Sequence, residues 1–172
     1  MSDTDRKEGL YGPSGWTAEK GINACLIPLN TSSYATSDFF SFGGAGPAQA
    51  QFLLDALPQK NLYDRQNDGP ILKEILTTCL KYPGIVTFEG YVVGKLRWDE
   101  RVSVDGFTVQ ASAVCQTAVE KPSNIDEVWT LVRRFFDFTT SESPDDLAIV
   151  PMPDPLTHGE ESIRLGWWLW WD

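Results

Sequence analysis

The amino-acid sequence predicts an α+β fold in which an antiparallel sheet of about five strands carries two to three helices on one face. Three observations predict it: apolar residues recur at helical spacing in three segments, residues 84–120 alternate between apolar and polar side chains, and two more strand-like stretches precede the C-terminus. A chain of 172 residues, 42% of them apolar, suffices for one core. We therefore expect a single acidic α+β domain over residues 1–172.

The N-terminal quarter has the least regular sequence. Residues 1–8 are polar and are expected to be disordered. Residues 9–46 are rich in Gly, Ser, Thr and Asn and are expected to be irregular. Within them, residues 24–29 and 39–42 are apolar enough to form short strands.

Three helices are predicted in the remainder of the chain. A proline at a first-turn position opens a short helix over residues 47–57, and another proline ends it. A second helix is predicted over residues 70–81, where apolar residues recur at helical spacing before a Pro-Gly pair. Ser123 or Asn124 caps the third helix. The apolar stripe of this third helix consists of Ile125, Val128, Trp129, Val132, Phe135 and Phe136.

Residues 84–120 are predicted to form the central part of the sheet, a three-stranded antiparallel meander. Asp105-Gly106 between two alternating runs is typical of a type I′ turn, which needs positive φ at both central residues. Gly94-Lys95 is a second, weaker two-residue turn, with Gly where a type II′ turn prefers it. Two strands, at residues 147–150 and 162–171, complete the sheet.

This meander places two carboxylates side by side. Its register sets Glu89 opposite Glu100 on an otherwise apolar face, where one carboxyl pKa should be raised. If the chain is an enzyme, these two are the candidate acid and base, and Tyr91 and Trp98 line the pocket beside them. The alternative is a first strand shifted by one residue, which moves Glu89 to the water-facing side. Because no nucleophile accompanies the pair, a non-enzymatic function is preferred.

The sequence contains no motif for a cofactor or a metal ion. Cys25, Cys79 and Cys115 are widely spaced and His158 is the single histidine, so no zinc site is expected. The glycines of residues 43–46 lack the third glycine of a dinucleotide fingerprint and the Lys-Ser or Lys-Thr of a P-loop. No apolar run approaches the ~18 residues of a membrane span. A soluble, cytoplasmic protein without a membrane partner is expected.

Negative charge is concentrated at the end of the chain. The formal net charge is −10, from 24 acidic and 14 basic residues. From residue 137 onward, eight acidic residues and one arginine give −7. Such a field repels phosphate backbones, so direct nucleic-acid binding is disfavoured, whereas a basic protein surface would be attracted. The alternative is that the charge only maintains solubility.

The tryptophan-rich C-terminus is the second unusual feature. In a strand, Trp168 and Trp170 point away from the core face. They are either covered by the N-terminal third, through Tyr11 and Trp16, or open as a contact surface, and covering is preferred. If open, aromatic anchors beside acidic loops suit a partner with a basic rim. The candidate partner-binding residues are Asp145, Asp146, Glu160, Glu161, Trp168 and Trp170.

Together these patterns favour an acidic partner-binding protein, such as an inhibitor or accessory factor that occupies a basic surface of another macromolecule. One alternative is a small enzyme or ligand-binding protein that uses Glu89 and Glu100. The other is a structural subunit of a larger assembly. The sequence does not indicate an oligomeric state.

Overall fold

A computed structural model describes residues 7–33, 36, 38–115, 124–140, 142–153 and 163–172. The described residues form five antiparallel strands and seven α-helices, which confirms the predicted α+β class. The strands are β1 (Phe39–Ala45), β2 (Val86–Val93), β3 (Arg101–Gln110), β4 (Asp146–Pro153) and β5 (Ile163–Trp170), and the helices are α1 (Trp16–Glu19), α2 (Ile22–Leu26), α3 (Pro47–Ala56), α4 (Gln59–Leu62), α5 (Leu72–Lys81), α6 (Ala111–Val114) and α7 (Ile125–Phe136).

The sheet has the strand order β1-β2-β3-β5-β4, with every neighbouring pair antiparallel. β2 and β3 form a hairpin whose register runs from Val93 opposite Arg101 to Val86 opposite Val109. β5 then lies between β3 and β4, although β4 precedes it in the chain. The C-terminal strand is therefore an interior strand of the sheet.

The predicted turn at Asp105-Gly106 is wrong, because both residues lie inside β3. Neither has the positive φ that a type I′ turn requires. β3 instead carries a bulge: Glu89 pairs with Gly106 and Gly90 pairs with Val104, which leaves Asp105 as the extra residue. The hairpin turns over residues 94–100, a longer connection than the predicted Gly94-Lys95 turn.

The expected third strand of the meander is also absent from its predicted place. Residues 107–110 continue β3, and residues 111–114 form α6. Residues 116–120 lie outside the described part of the chain. The sheet reaches five strands because β1 joins the edge of β2.

Residues 9–46 are more regular than expected. They contain α1, α2, a 3₁₀ turn at Ile27–Leu29 and β1, so the strand predicted at residues 24–29 is wrong and the one at 39–42 is confirmed. The two short helices are not predicted from the sequence because neither begins after a capping Ser, Thr or Asp. Each begins after a glycine with positive φ, Gly15 (91°) and Gly21 (75°). Of residues 1–8, residues 1–6 lie outside the described part. Glu8 forms a β-bridge with Pro13, and the backbone oxygen of Lys7 accepts a hydrogen bond from the Ser14 N–H.

The three longer helices occur where the sequence predicts them. α7 begins after Asn124, whose side chain accepts a hydrogen bond from the Asp126 backbone N–H at 2.9 Å. Apolar side chains of α3, α5 and α7 share one buried core with one face of the sheet. Among the described residues, the longest helix is α7 with 12 residues, and none is long and apolar enough to cross a bilayer. The largest fully buried side chains of this core include Trp129, Trp167, Phe42, Phe88 and Phe107.

The opposite face of the sheet, which we call the second face, carries polar and aromatic side chains. Strand alternation places Thr87, Glu89 and Tyr91 of β2 on it, together with Thr108 of β3 and Trp168 of β5. None of these side chains belongs to the apolar core. The second face therefore places a carboxyl group, hydroxyl groups and an indole on neighbouring strands.

Candidate functional site

Four side chains meet on the second face at the bulge of β3. Strand pairing sets Glu89 opposite Gly106 and Gly106 opposite Trp170, while the bulge adds Asp105 and the next outward residue of β5 is Trp168. We call Glu89, Asp105, Trp168 and Trp170 the acid–indole site. Its members come from β2, β3 and β5, because β5 pairs with β3 next to the bulge.

Gly106 allows Glu89 to reach across β3 toward β5. A Cβ at Gly106 would lie 3.3 Å from both Cγ and Oε1 of Glu89 and 3.0 Å from the Leu169 carbonyl oxygen. Because glycine has no side chain there, the carboxyl of Glu89 lies over the β3 backbone. The indole Nε1 of Trp168 donates a hydrogen bond to Glu89 Oε1 at 2.6 Å.

The carboxyl groups of the site favour the protonated form more than ordinary carboxyls do. Burial raises the pKa of Glu89, and the hydrogen bond from Trp168 opposes part of this shift. Burial likewise raises the pKa of Asp105 to about 6, against hydrogen bonding from its own backbone and from the side chain of Trp170, while the charge of Glu89 raises it further. The two carboxyls therefore interact, so the ionisation of one affects the other.

The two indoles of the site stack on each other. The ring centroids of Trp168 and Trp170 are 6.3 Å apart and their planes differ by 13°. Both side chains are half-buried, so each is partly covered and partly accessible. The prediction that they leave the core face is confirmed. Their expected covers lie elsewhere: Trp16 is in the core, and the hydroxyl of Tyr11 donates to Asp64.

Two exposed carboxylates border the site. Asp146 pairs with Trp170, and the backbone N–H of Asp145 donates to the Trp170 carbonyl at 2.8 Å. We call Asp145 and Asp146 the acidic rim. Glu160 and Glu161, the other predicted acidic residues, lie outside the described residues.

The negative charge of this region has no positive partner in the described part of the chain. The ion pairs found there join Arg97 and Arg101 to Asp99. None involves the acid–indole site or the acidic rim. Within the same residues, no group of three or more His, Cys, Asp or Glu side chains is arranged to hold a metal ion.

The predicted Glu89–Glu100 pair does not form. Glu100 lies before β3, in the connection that is longer than predicted, and its side chain turns to the N-terminal segment. It is 2% exposed and accepts hydrogen bonds from Gly15 N (2.6 Å), Thr17 N (2.9 Å) and Thr17 Oγ1 (2.6 Å). The indole of Trp16 donates to its backbone oxygen at 3.1 Å. Glu100 therefore fixes α1 against the sheet.

Tyr91 and Trp98, the two residues predicted to line one pocket, have different surroundings. Tyr91 pairs with Ser103, and its hydroxyl donates to Gln66 Oε1 at 2.7 Å. Trp98 is 70% exposed and lines a cavity of about 290 Å³ that Glu100 also lines and Tyr91 does not. Neither belongs to the acid–indole site.

Asp105 is the one member of the acid–indole site that the sequence analysis does not single out, because its pattern predicts a turn there. The core-facing residues Val102, Val104, Phe107 and Val109 contain one three-residue step, between Val104 and Phe107. A two-residue turn and a bulge both produce such a step. The step therefore shows that the strand pattern is interrupted at Asp105 and Gly106, but it fits a turn and a bulge equally well.

The chain matches no protein-family model, no curated protein and no solved structure. Two partly desolvated carboxyls that have no counter-cation among the described residues, next to half-buried indoles, can accept a cation through charge and through cation–π contact. Asp105, with its pKa raised to about 6, can also hold and release a proton near neutral pH, and burial raises the pKa of Glu89 in the same direction.

Proposed function

We propose that this protein binds a basic surface of another protein through the acid–indole site. The observation that carries the proposal is that the fold holds Glu89 and Asp105 together in partial burial, with no positive side chain of the described residues beside them. A lysine or arginine side chain of a partner would supply that charge. Its cation would also contact the faces of Trp168 and Trp170.

The surroundings of the site support a protein partner over a nucleic acid. The net charge of −10 repels phosphate backbones. The acidic rim would attract a basic surface at long range, and half-buried aromatic side chains are typical anchors of protein interfaces. An inhibitor or accessory factor would act in this way by occupying the basic surface that another macromolecule uses.

Decameric lysine and arginine peptides provide a defined test. At low salt, we expect them to shift the indole N–H resonances of Trp168 and Trp170 in NMR spectra. The double variant Glu89→Gln, Asp105→Asn should bind about tenfold more weakly, equivalent to roughly 1.4 kcal/mol. This variant keeps side chains that accept hydrogen bonds from the indoles.

The matched control is the double variant Asp55→Asn, Glu127→Gln, which loses the same charge from exposed positions on α3 and α7. It should bind the peptides as the wild type does. An equal loss of affinity in both double variants would show that only net charge matters, and the proposal would then fail.

Proton transfer on a small substrate is the second candidate function, and the raised pKa values of Glu89 and Asp105 favour it. In this function, Glu89 and Asp105 would act as the acid and the base, in place of the predicted pair of Glu89 and Glu100. Hydrolysis of chromogenic esters or glycosides by the wild type, abolished by Asp105→Asn, would support this function. Equal rates for both proteins would count against it.

A further inference from the structure

A second cavity lies in the helical layer, between α5 and the end of α7. Its volume is about 540 Å³, within the range of natural small-ligand pockets. It lies outside the acid–indole site, because α5 packs on the core face of the sheet. Its aromatic walls are Tyr63, Tyr82, Phe136 and Phe138.

One side of this cavity is a positively charged stripe. Lys73, Thr77 and Lys81 are four residues apart on α5, so they share one helix face and the two lysines are separated by about 12 Å along the axis. Lys73 Nζ lies 4.9 Å from the centre of the Tyr63 ring and donates to its hydroxyl at 3.0 Å. Lys81 Nζ lies 5.3 Å from the centre of the Tyr82 ring.

The two lysines have no acidic partner among the described residues. Glu74, which also lines the cavity, accepts hydrogen bonds from the backbone N–H groups of Ile71 and Thr139, both at 3.2 Å. Its carboxylate thus accepts hydrogen bonds from the backbone at the start of α5 and from the backbone after α7. Asp137 is the other acidic residue of the cavity, and it lies exposed at the C-terminal end of α7.

Three of the four aromatic walls, Tyr82, Phe136 and Phe138, are held in place by contacts with other rings. Tyr63 is more exposed and contacts Lys73. The rings of Tyr82 and Phe136 meet edge to face with centroids 5.1 Å apart. Phe138 is buried and stacks on Trp129 at 5.9 Å and 18°. A cavity with fixed aromatic walls loses little conformational entropy when a ligand binds.

We infer that this cavity binds an elongated amphipathic anion: a molecule with a flat, ring-containing body against the aromatic walls and acidic groups that reach Lys73 and Lys81. The charge of the stripe is the opposite of that of the protein as a whole. General electrostatic attraction would therefore not bring such a ligand to the molecule, and the local arrangement must supply the affinity.

The probe for this inference is bis-anilinonaphthalene sulfonate, which has two sulfonates on an aromatic frame. We expect it to bind the folded protein with a stoichiometry of one and to shift the backbone amide resonances of Thr77 and Thr139. The double variant Lys73→Gln, Lys81→Gln should weaken binding about tenfold. Anilinonaphthalene sulfonate, which has one sulfonate, should bind more weakly than the double-headed probe.

The control variant is Lys20→Gln, Lys60→Gln, which removes the same charge from exposed lysines outside the cavity. Lys60 also lies over a tyrosine ring, 5.7 Å from the centre of Tyr11, so the control also removes a cation–π contact. Equal affinity of the two double variants, or amide shifts confined to residues outside the cavity, would overturn the inference. The variant Glu89→Gln, Asp105→Asn should bind the probe as the wild type does, which separates this inference from the proposed function.

Discussion

Asp105 illustrates how a single position in the backbone determines side-chain chemistry. It is the extra residue of the β3 bulge, and its carboxyl has a pKa of about 6, raised by burial from an ordinary value of 3.8. Between these two pH values the folded protein holds a proton that the unfolded chain has released. The stabilisation from this proton is present at low pH and is lost as the pH rises through about 6.

The variant Asp105→Asn should remove this pH dependence. Relative to the wild type, the variant should gain about 1 to 2 kcal/mol of unfolding free energy between pH 4.5 and 7.5. Only about 1.5 pH units of the pKa difference lie above pH 4.5, which corresponds to roughly 2 kcal/mol, and partial exposure of the carboxyl lowers this value further. Urea denaturation of both proteins at the two pH values measures the difference. A difference that stays constant with pH would contradict the assignment.

Glu100 should be important for stability and unimportant for binding. Its carboxylate accepts three hydrogen bonds from the start of α1 while 2% exposed. Glu100→Ala leaves these donors without partners, and we expect a loss of about 2 to 4 kcal/mol of unfolding free energy. Glu89→Ala, at a half-buried position with one hydrogen bond, is the comparison and should cost less. Equal losses in urea denaturation would show that Glu100 does not anchor α1.

At the scale of elements, the bulge depends on close contact between β2 and β3. A Cβ at Gly90 would overlap the carbonyl oxygen of Ser103 and lie 2.8 Å from Val104 Cα. Gly90→Ala should therefore lower the unfolding free energy by about 3 kcal/mol or more, since backbone atoms must move. Gly12→Ala is the control, because the nearest atoms to its Cβ would be side-chain atoms of Trp16 at 3.6 Å, an ordinary van der Waals distance. Thermal unfolding that is alike in both variants would contradict the tight pairing.

The sequence predicts those elements whose signals are local. The cap at Asn124 and the apolar stripe that follows it identify α7 correctly. The strands predicted at residues 147–150 and 162–171 correspond to β4 and β5, although β4 continues to Pro153, which an edge strand tolerates. The turn at Asp105-Gly106 is wrong because its pattern also fits a bulge, and pairing with β5 stabilises the extended form. Of the acid–indole site, the outward direction of Trp168 was predictable from strand alternation. Its bond to Glu89 was not, since it depends on pairing between strands distant in the sequence.

For the molecule as a whole, the acidic rim and the acid–indole site should affect partner binding differently. The rim is exposed, so Asp145→Asn with Asp146→Asn should mainly slow association of a basic peptide and reduce its salt dependence. Glu89→Gln with Asp105→Asn should mainly speed dissociation, since these carboxyls are partly buried. Stopped-flow fluorescence measures both rates. Identical effects of the two double variants would mean that the site has no role beyond its charge.

The pKa of Asp105 with and without a bound basic peptide tests the central claim most directly. A cation beside the carboxyl stabilises its ionised form, so deca-arginine should lower the pKa from about 6 by at least one unit, and the peptide should bind more tightly at pH 7 than at pH 5. Carbon-detected NMR of the carboxyl resonance measures both titrations. An unchanged pKa in the presence of saturating peptide would contradict cation binding at the acid–indole site.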